Sequence, residues 1–272
     1  MQFDFGKNWT EFARSALTPE RAVQARSSFS KLLNGIPLRG RRFLDIGFGQ
    51  GLSLLCAVEA GAFAFGCDIN PKCREALESS SIQFPLVRTD EIPVVIGSIL
   101  DGEVVARIAH YGDGHGRFDI VHSWGVLHHT GDMRRAIRNA AALVNEGGHF
   151  VIALYNRHWS SLSWLAVKWL FCKSPGWLRR VMIALLYPVI WVAKLLITGE
   201  NPKRKERGMD FYYDVVDWVG GYPYEFGSVN EIMAIVVPLG FECIRAIPSN
   251  VPTGCNEFVF QRCAPDTCSA RA

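Results

Sequence analysis

The chain has 272 residues, 49% of them apolar and 20% charged, with a formal net charge of +3. That length holds one large domain or one domain with a sizeable insertion, and the composition supplies a buried core and argues against disorder. So small a net charge gives no general reason to expect a nucleic-acid partner. The eight cysteines are scattered, with no CxxC pair and no Cys/His spacing that suits zinc. No metal site is expected, and the thiols read as reduced core residues of a cytosolic protein. The opening MQFDFGKNWTEFAR lacks the basic start and apolar stretch of a signal peptide.

Residues 1 to about 40 look helical and form an arm. Phe5, Trp9 and Phe12 fall on spacings that a helix brings to one side, and Pro37 and Gly40 punctuate the end. From 41 to 154, strand and helix patterns alternate. RFLDIG is a strand ending in a glycine turn, and LSLLCAVEAG is a helix stopped by Gly61. AFAFGCDIN is a second strand ending in an acid, followed by the helix PKCREALESS with Pro71 in its first turn. PVVIGSIL is a third strand, and DGEVVARIAH is a helix. RFDIVHSWGVL is a fourth strand, and GDMRRAIRNAAALVNEGG is a helix capped by Asp132 with Gly147 near its end. HFVIALY is a fifth strand. Apolar strands separated by helices predict a parallel, doubly wound Rossmann-like sheet.

Residues 155–225 break that rhythm. They predict helices over Trp159–Cys172, Pro175–Ile197 and a shorter piece near Phe211–Val219. The run VMIALLYPVIWVAKLLI is nearly all apolar, with Arg179 and Arg180 before it and Lys203, Arg204, Lys205 and Arg207 after it. It falls short of the roughly 20 apolar residues of a membrane span and contains Pro188 and Lys194, so it reads as a buried helix or a membrane-surface helix. Alternation resumes over 226–264. SVNEIMAIVVPLG opens with a capping box of Ser228 and Glu231, and FECIRAI and NEFVFQRC form an antiparallel hairpin. Residues 265–272 are a tail. The organisation is an α/β domain interrupted by a helical cap.

The stretch DIGFGQG carries the chemistry. Glycines at 47, 49 and 51 let the backbone approach a ligand, and the next helix points its N-terminus at the same place. The dinucleotide fingerprint is G-x-G-x-x-G on a pyrophosphate. Here the spacing is G-x-G-x-G, and Asp45 precedes it by two residues. An acid repels a pyrophosphate and attracts the ammonium of an amino acid. No Gly-Lys-Ser/Thr follows, which excludes a P-loop. Asp68 ends the second strand, where a carboxylate can take both hydroxyls of a ribose; the alternative is a cap for PKCREAL, with Asn70 competing. In GSILD, Ser98 offers polar contacts to an adenine edge, and Ile99 and Leu100 an apolar wall. Asp101 either reaches the adenine amino group or caps the following helix.

In this order and spacing, FLDIGFGQG, GCDIN, IGSILD and FDIVHSWGVLHHTGD resemble the successive motifs of class I S-adenosylmethionine-dependent methyltransferases. The resemblance implies a seven-stranded sheet with a C-terminal hairpin and S-adenosyl-L-methionine as cofactor. Asp45 and the backbone of Gly47 and Gly49 would hold the methionine part, Asp68 the ribose, and Ser98, Ile99 and Leu100 the adenine, with Gly51 and Ile69 also among the cofactor-binding residues. Ser123 and Trp124, at the end of the fourth strand, join that set. FGKNWTEF is similar to the arm of ubiquinone-type O-methyltransferase relatives, which makes Phe5, Trp9 and Phe12 lid candidates or residues packed on the sheet flank.

Methyl transfer from a sulfonium mainly requires alignment and exclusion of water, with a base if the nucleophile is a protonated hydroxyl. His128 and His129 follow the fourth strand at the ligand edge of the sheet, and at most one should face the substrate. Tyr155, after the fifth strand, is a further catalytic candidate. Asn156 and Arg157 at the rim, and Tyr222, Tyr224 and Glu225 in the re-entering segment, are candidate acceptor contacts. The aromatics of the insertion either line an acceptor pocket or pack the cap. The expected function is methyl transfer, at oxygen, to a small-molecule or lipid-like acceptor by a cytoplasmic protein, with peripheral contact to the inner membrane if the faces of 159–207 are exposed. Rival readings are an NAD-type oxidoreductase and a non-catalytic interaction module.

Overall fold

The computed structural model describes residue 3 and residues 17–199, 201 and 210–264. The lid candidates Phe5, Trp9 and Phe12, the basic run 203–207 and the tail lie outside the described residues. Helix α1 (Pro19–Leu32) opens with Thr18 accepting the N–H of Arg21 and leads into β1 (Arg42–Ile46). There follow α2 (Leu52–Glu59), β2 (Phe63–Asp68), α3 (Cys73–Ser80), β3 (Val94–Ile96), α4 (Gly102–Ala109) and β4 (Phe118–Trp124). Then come α5 (Met133–Ala142) and the long β5 (Val144–Tyr155). The cap comprises α6 (Ser161–Lys173), α7 (Gly176–Thr198) and α8 (Phe211–Gly220). Helix α9 (Val229–Val236), β6 (Phe241–Ile247) and β7 (Cys255–Arg262) close the fold.

The seven strands take the order β3-β2-β1-β4-β5-β7-β6. The first five are parallel; β7 runs antiparallel to both β5 and β6. Successive side chains of a strand leave opposite faces, and the core divides accordingly. Phe43, Ile120, Val151 and Val259 pack under α1, α2 and α3. Leu44, Val121, Phe150 and Phe260 pack under α4, α5 and α9. Strand order reverses between β1 and β4, and in an open α/β sheet the cleft beyond the carboxyl ends at that point receives ligands.

Three sequence expectations shift. The helix expected over 131–148 keeps its Asp132 cap, which accepts the N–H of Arg135, but ends at Ala142. Residues from Val144 join β5 through a register shift opposite Phe118–Ile120. Gly147, expected near the helix end, lies instead within β5 at a φ of +68°, and a Cβ on its neighbour Gly148 would lie 2.8 Å from Asp119 O, so that glycine permits the close approach of β5 to β4. Helix α3 begins at Cys73, two residues after Pro71. The capping box of Ser228 and Glu231 is present as expected.

The apolar run of the insertion extends into a helix of 23 residues, long and apolar enough by length and composition to cross a membrane. Only Ile183 and Ile190 of it are buried, which overturns the buried-helix alternative. The inner sides of the three cap helices share a small core built on Phe171, Ile190, Phe211 and Val219.

Candidate functional site

A cavity of about 840 Å³ opens at the carboxyl edge of the sheet. Its sheet-side wall includes Asp45, Gly47, Gly49, Asp68, Ile69, Ser98, Ile99 and Trp124. Gly47 has φ of +74°, and a Cβ there would lie 2.2 Å from Val126 Cγ1, so backbone alone can occupy the turn. Asp68 is tied to that loop: its Oδ2 accepts the N–H of Gly49 at 2.9 Å and its Oδ1 that of Asn70 at 2.8 Å. Burial pushes this carboxyl above the usual range, against the opposing pull of those two backbone donors. The cap alternative fails for Asp68, since α3 has no side-chain cap. Each carboxylate oxygen carries a second acceptor site, so two vicinal hydroxyls can still be bound.

Asp45 is buried and accepts from His122 Nδ1 at 2.7 Å. His122 also lines the cavity and stacks on Phe43, with ring centroids 5.7 Å apart. It leaves the same face of β4 as Trp124, whose Nε1 donates to Glu257 Oε1 at 2.7 Å. Glycine backbone, one acid against the loop and a second acid at the neighbouring strand end together fit an adenosine that carries an amino acid.

Three residues expected on this wall lie off it. Ser123 points to the opposite face and donates to Ile46 O at 2.9 Å, because strand neighbours alternate. Gly51 serves as the left-handed N-cap of α2 against Leu77. Leu100 packs on the core between sheet and helices. Of the two roles left open for Asp101, the structure shows the cap: it accepts the N–H of Glu103 at 2.9 Å at the start of α4.

Of the adjacent histidines, one faces the cavity. His129 lines it, and its Nδ1 lies 2.6 Å from Pro223 O. A carbonyl only accepts, so Nδ1 carries the proton and Nε2 the lone pair. Burial, aided by the Lys168 charge, lowers this imidazole to about 3. His128 is fully buried and does not line the cavity; its Nδ1 accepts the N–H of Tyr155 at 3.3 Å. Burial holds it far below the ordinary histidine range. Tyr155 lines the cavity, and burial raises its phenol well above the usual value, so it stays protonated at neutral pH.

The expected acceptor contacts are engaged elsewhere. Asn156 accepts from Asn256 Nδ2 at 3.1 Å. Arg157 pairs with Glu231 at 2.7 Å, outside the cavity. Glu225 accepts the N–H of Met133 at 2.9 Å, at the start of α5. Tyr224 is buried against Tyr155, with centroids 5.2 Å apart. Tyr222 does not reach the cavity; its carbonyl accepts the N–H of Phe3 at 2.9 Å. The re-entering loop is thus held to the start of α5 and to the loop after β4.

The cap-side wall is instead built by Trp164, Ile190, Lys194, Asp214, Asp217 and Trp218. Trp164 and Trp218 meet edge to face at 4.1 Å, and Lys194 pairs with Asp214 at 3.3 Å. A signal existed in FYYDVVDWVGG: residues 214, 217 and 218 are three and four apart and therefore share a helical face.

The family described as "Methyltransferase domain" matches residues 18–183. The chain belongs to this methyltransferase-domain family. The match runs from α1 into α7 and so includes both acids and the glycine loop. A ubiquinone biosynthesis O-methyltransferase from Ralstonia nicotianae is 29% identical over 122 residues, which is 45% of this chain and 46% of that one. The chain thus spans about half the length of the curated methyltransferases it matches. In fold it is similar to an O-methyltransferase family protein from Burkholderia thailandensis, with a TM-score of 0.55, 16% identity, and coverage of 90% of this chain and 57% of that one. It is also similar to the magnesium protoporphyrin IX methyltransferase from Synechocystis with bound SAH, at a TM-score of 0.53, 16% identity, and coverage of 90% and 83%. These likenesses bear on the fold; the seven-stranded sheet with its antiparallel last pair is the methyltransferase arrangement expected from the motifs.

Proposed function

We propose that the protein transfers the methyl group of S-adenosylmethionine to an oxygen of a small-molecule or lipid-like acceptor. One observation carries the reading. A single cavity is lined both by the glycine loop with Asp45 and Asp68 and by the aromatic and charged face of the cap. Among the described residues its lining holds five carboxylates and one lysine, a field that suits a sulfonium cation and repels the pyrophosphate of a dinucleotide. This speaks against the NAD reading.

When bound, S-adenosylmethionine supplies a methyl already activated by its sulfonium. The chain's own task is to align the acceptor and keep water out. Asp68 and the loop backbone fix one partner, and Trp164 and Trp218 close over the other. His129 receives the acceptor proton. A neutral imidazole with its lone pair on Nε2 takes a hydrogen bond from a hydroxyl, and that hydroxyl becomes strongly acidic as its oxygen bonds to carbon. A weakly basic histidine therefore suffices. Tyr155, held as a phenol, donates and orients.

The proposal extends to where the protein works. From Ser161 to Gly199 there is no acidic residue, while Lys173 and Arg180 are exposed. On α7 the outer face presents Trp177, Val181, Leu185, Val189, Val192 and Leu196, with Leu196 79% exposed. An apolar face bordered by Lys173 and Arg180 at its start fits the interface of an anionic bilayer.

Calorimetric titration with S-adenosylhomocysteine and with NADH, followed by transfer from labelled cofactor across acceptor classes, tests the reading. Binding of the first ligand alone, with label on an oxygen, is expected. No measurable affinity for S-adenosylhomocysteine would instead favour a non-catalytic module.

A further inference from the structure

Lysine is almost never fully buried without a paired acid, yet Lys168 is wholly inaccessible in the middle of α6. Its ammonium donates to Trp218 O, in the last turn of α8. One helical turn on, Cys172 Sγ donates to Gly220 O at 3.2 Å. Helix termini leave four carbonyls without intrahelical partners, and positive charge is favoured there. Residues four apart share a face, so one face of α6 caps the carboxyl end of α8. The Lys168 ammonium also lies over the rings of Tyr224, Trp218 and Tyr155, at 4.7, 5.0 and 5.4 Å.

That seat is connected to the site. Helix α8 carries Asp217 and Trp218 into the cavity. It ends in Gly220 and Gly221, and a Cβ on Gly221 would lie 2.7 Å from His129 Cε1. Two residues further, Pro223 O accepts from His129 Nδ1. A shift in the end of α8 therefore moves the cap-side wall and the carbonyl that sets the tautomer of His129.

We propose that Lys168 is a positioning residue for the acceptor site, acting from the neighbouring helix as the carboxyl-terminal cap that seats α8 over the cavity. The proposal rests on the methyltransferase reading only for the identity of that site. Burial makes the ammonium costly and brings it down to about 7, although Asp217 and Asp214 support the charge. Among the described residues no carboxylate lies within ion-pair distance of it, and a buried charge without such a pair is a poor stabiliser, which separates a positioning role from a structural one.

Lys168→Met keeps the stem and removes the donor; Lys168→Gln keeps a donor without the charge. In Lys168→Met, hydrogen–deuterium exchange over 211–221 should rise at least tenfold. Its melting temperature should be no lower than wild type, and S-adenosylhomocysteine affinity should stay within twofold. Lys168→Gln should recover part of the protection. Unchanged exchange over 211–221 would overturn the proposal. So would a Lys168→Met protein that unfolds or loses melting temperature and cofactor affinity together, since the lysine would then be structural. If wild type itself shows no affinity for S-adenosylhomocysteine, the methyltransferase reading fails, while the exchange comparison still decides the seat of α8.

Discussion

Asp68 Oδ2 accepts the backbone N–H of Gly49 at 2.9 Å. The acid that ends β2 is thereby bonded to the glycine loop that ends β1, and the two cannot move independently. Asp68→Ala removes the proposed ribose acceptor together with the anchor of the loop. Affinity for S-adenosylhomocysteine should fall at least tenfold, in line with the roughly 1.5–3 kcal/mol of charge-assisted hydrogen bonds. Wild-type affinity by calorimetry would remove Asp68 from the ribose position.

Gly47→Ala forces a methyl into contact with Val126 at positive φ. Overpacking and backbone strain together should cost about 1–3 kcal/mol. A lower melting temperature with weakened cofactor binding is expected. An unaffected protein would show that the turn can relax.

His129→Gln should lower kcat by about 10²-fold, the low end for a general base because so weak a base accepts the proton only late in the transfer, while S-adenosylhomocysteine binding stays unchanged. Retained turnover would exclude His129 as the proton acceptor. Because burial lowers this imidazole to about 3, turnover should show no inflection of its own near pH 6.5.

Stability should depend on pH through the same groups. His129 has a folded value below its unfolded 6.5, so below pH 6.5 the unfolded chain takes up a proton that the folded chain refuses. Stability then falls as pH drops from 6.5 towards 3, by about 1.4 kcal/mol per pH unit for a single group. Denaturant titrations should give a smaller acid slope for His129→Gln. For Lys168 the folded value of about 7 lies below the unfolded 10.5. The unfolded chain therefore binds the extra proton between these values, and stability rises with pH across that window. Lys168→Met should lack this rise.

Leu185 and Val189 stand on the exposed face of α7, 66% and 60% accessible. Replacing both by Glu should abolish co-sedimentation with phosphatidylglycerol vesicles and leave S-adenosylhomocysteine affinity intact. Equal sedimentation of variant and wild type would rule out this face as a membrane contact.

The Rossmann-like order was legible because each strand and helix between Arg41 and Tyr155 carries its own local signal: an apolar run, a cap or a glycine turn. The glycine loop, Asp45 and Asp68 were legible for the same reason, since strand ends place them side by side whatever the rest of the chain does. The acceptor side was not. Arg157, Tyr222 and Glu225 carry polar groups near the cleft in sequence, but they are drawn to Glu231, to Phe3 and to the start of α5. Asp214, Asp217, Trp218 and Lys194 reach the cavity only because α7 and α8 fold back over the sheet.

By itself, then, the sequence determined the fold class and the place of the glycine loop, Asp45 and Asp68 on the sheet-side wall of the cavity, because those depend on periodicity and on spacings within one strand–turn–helix unit. The tertiary structure alone decided which histidine faces the cavity, which cap residues wall it and why a lysine is buried beneath them. Those outcomes depend on how separate helices pack and on which carbonyls remain to be satisfied, and neither is encoded in a local pattern.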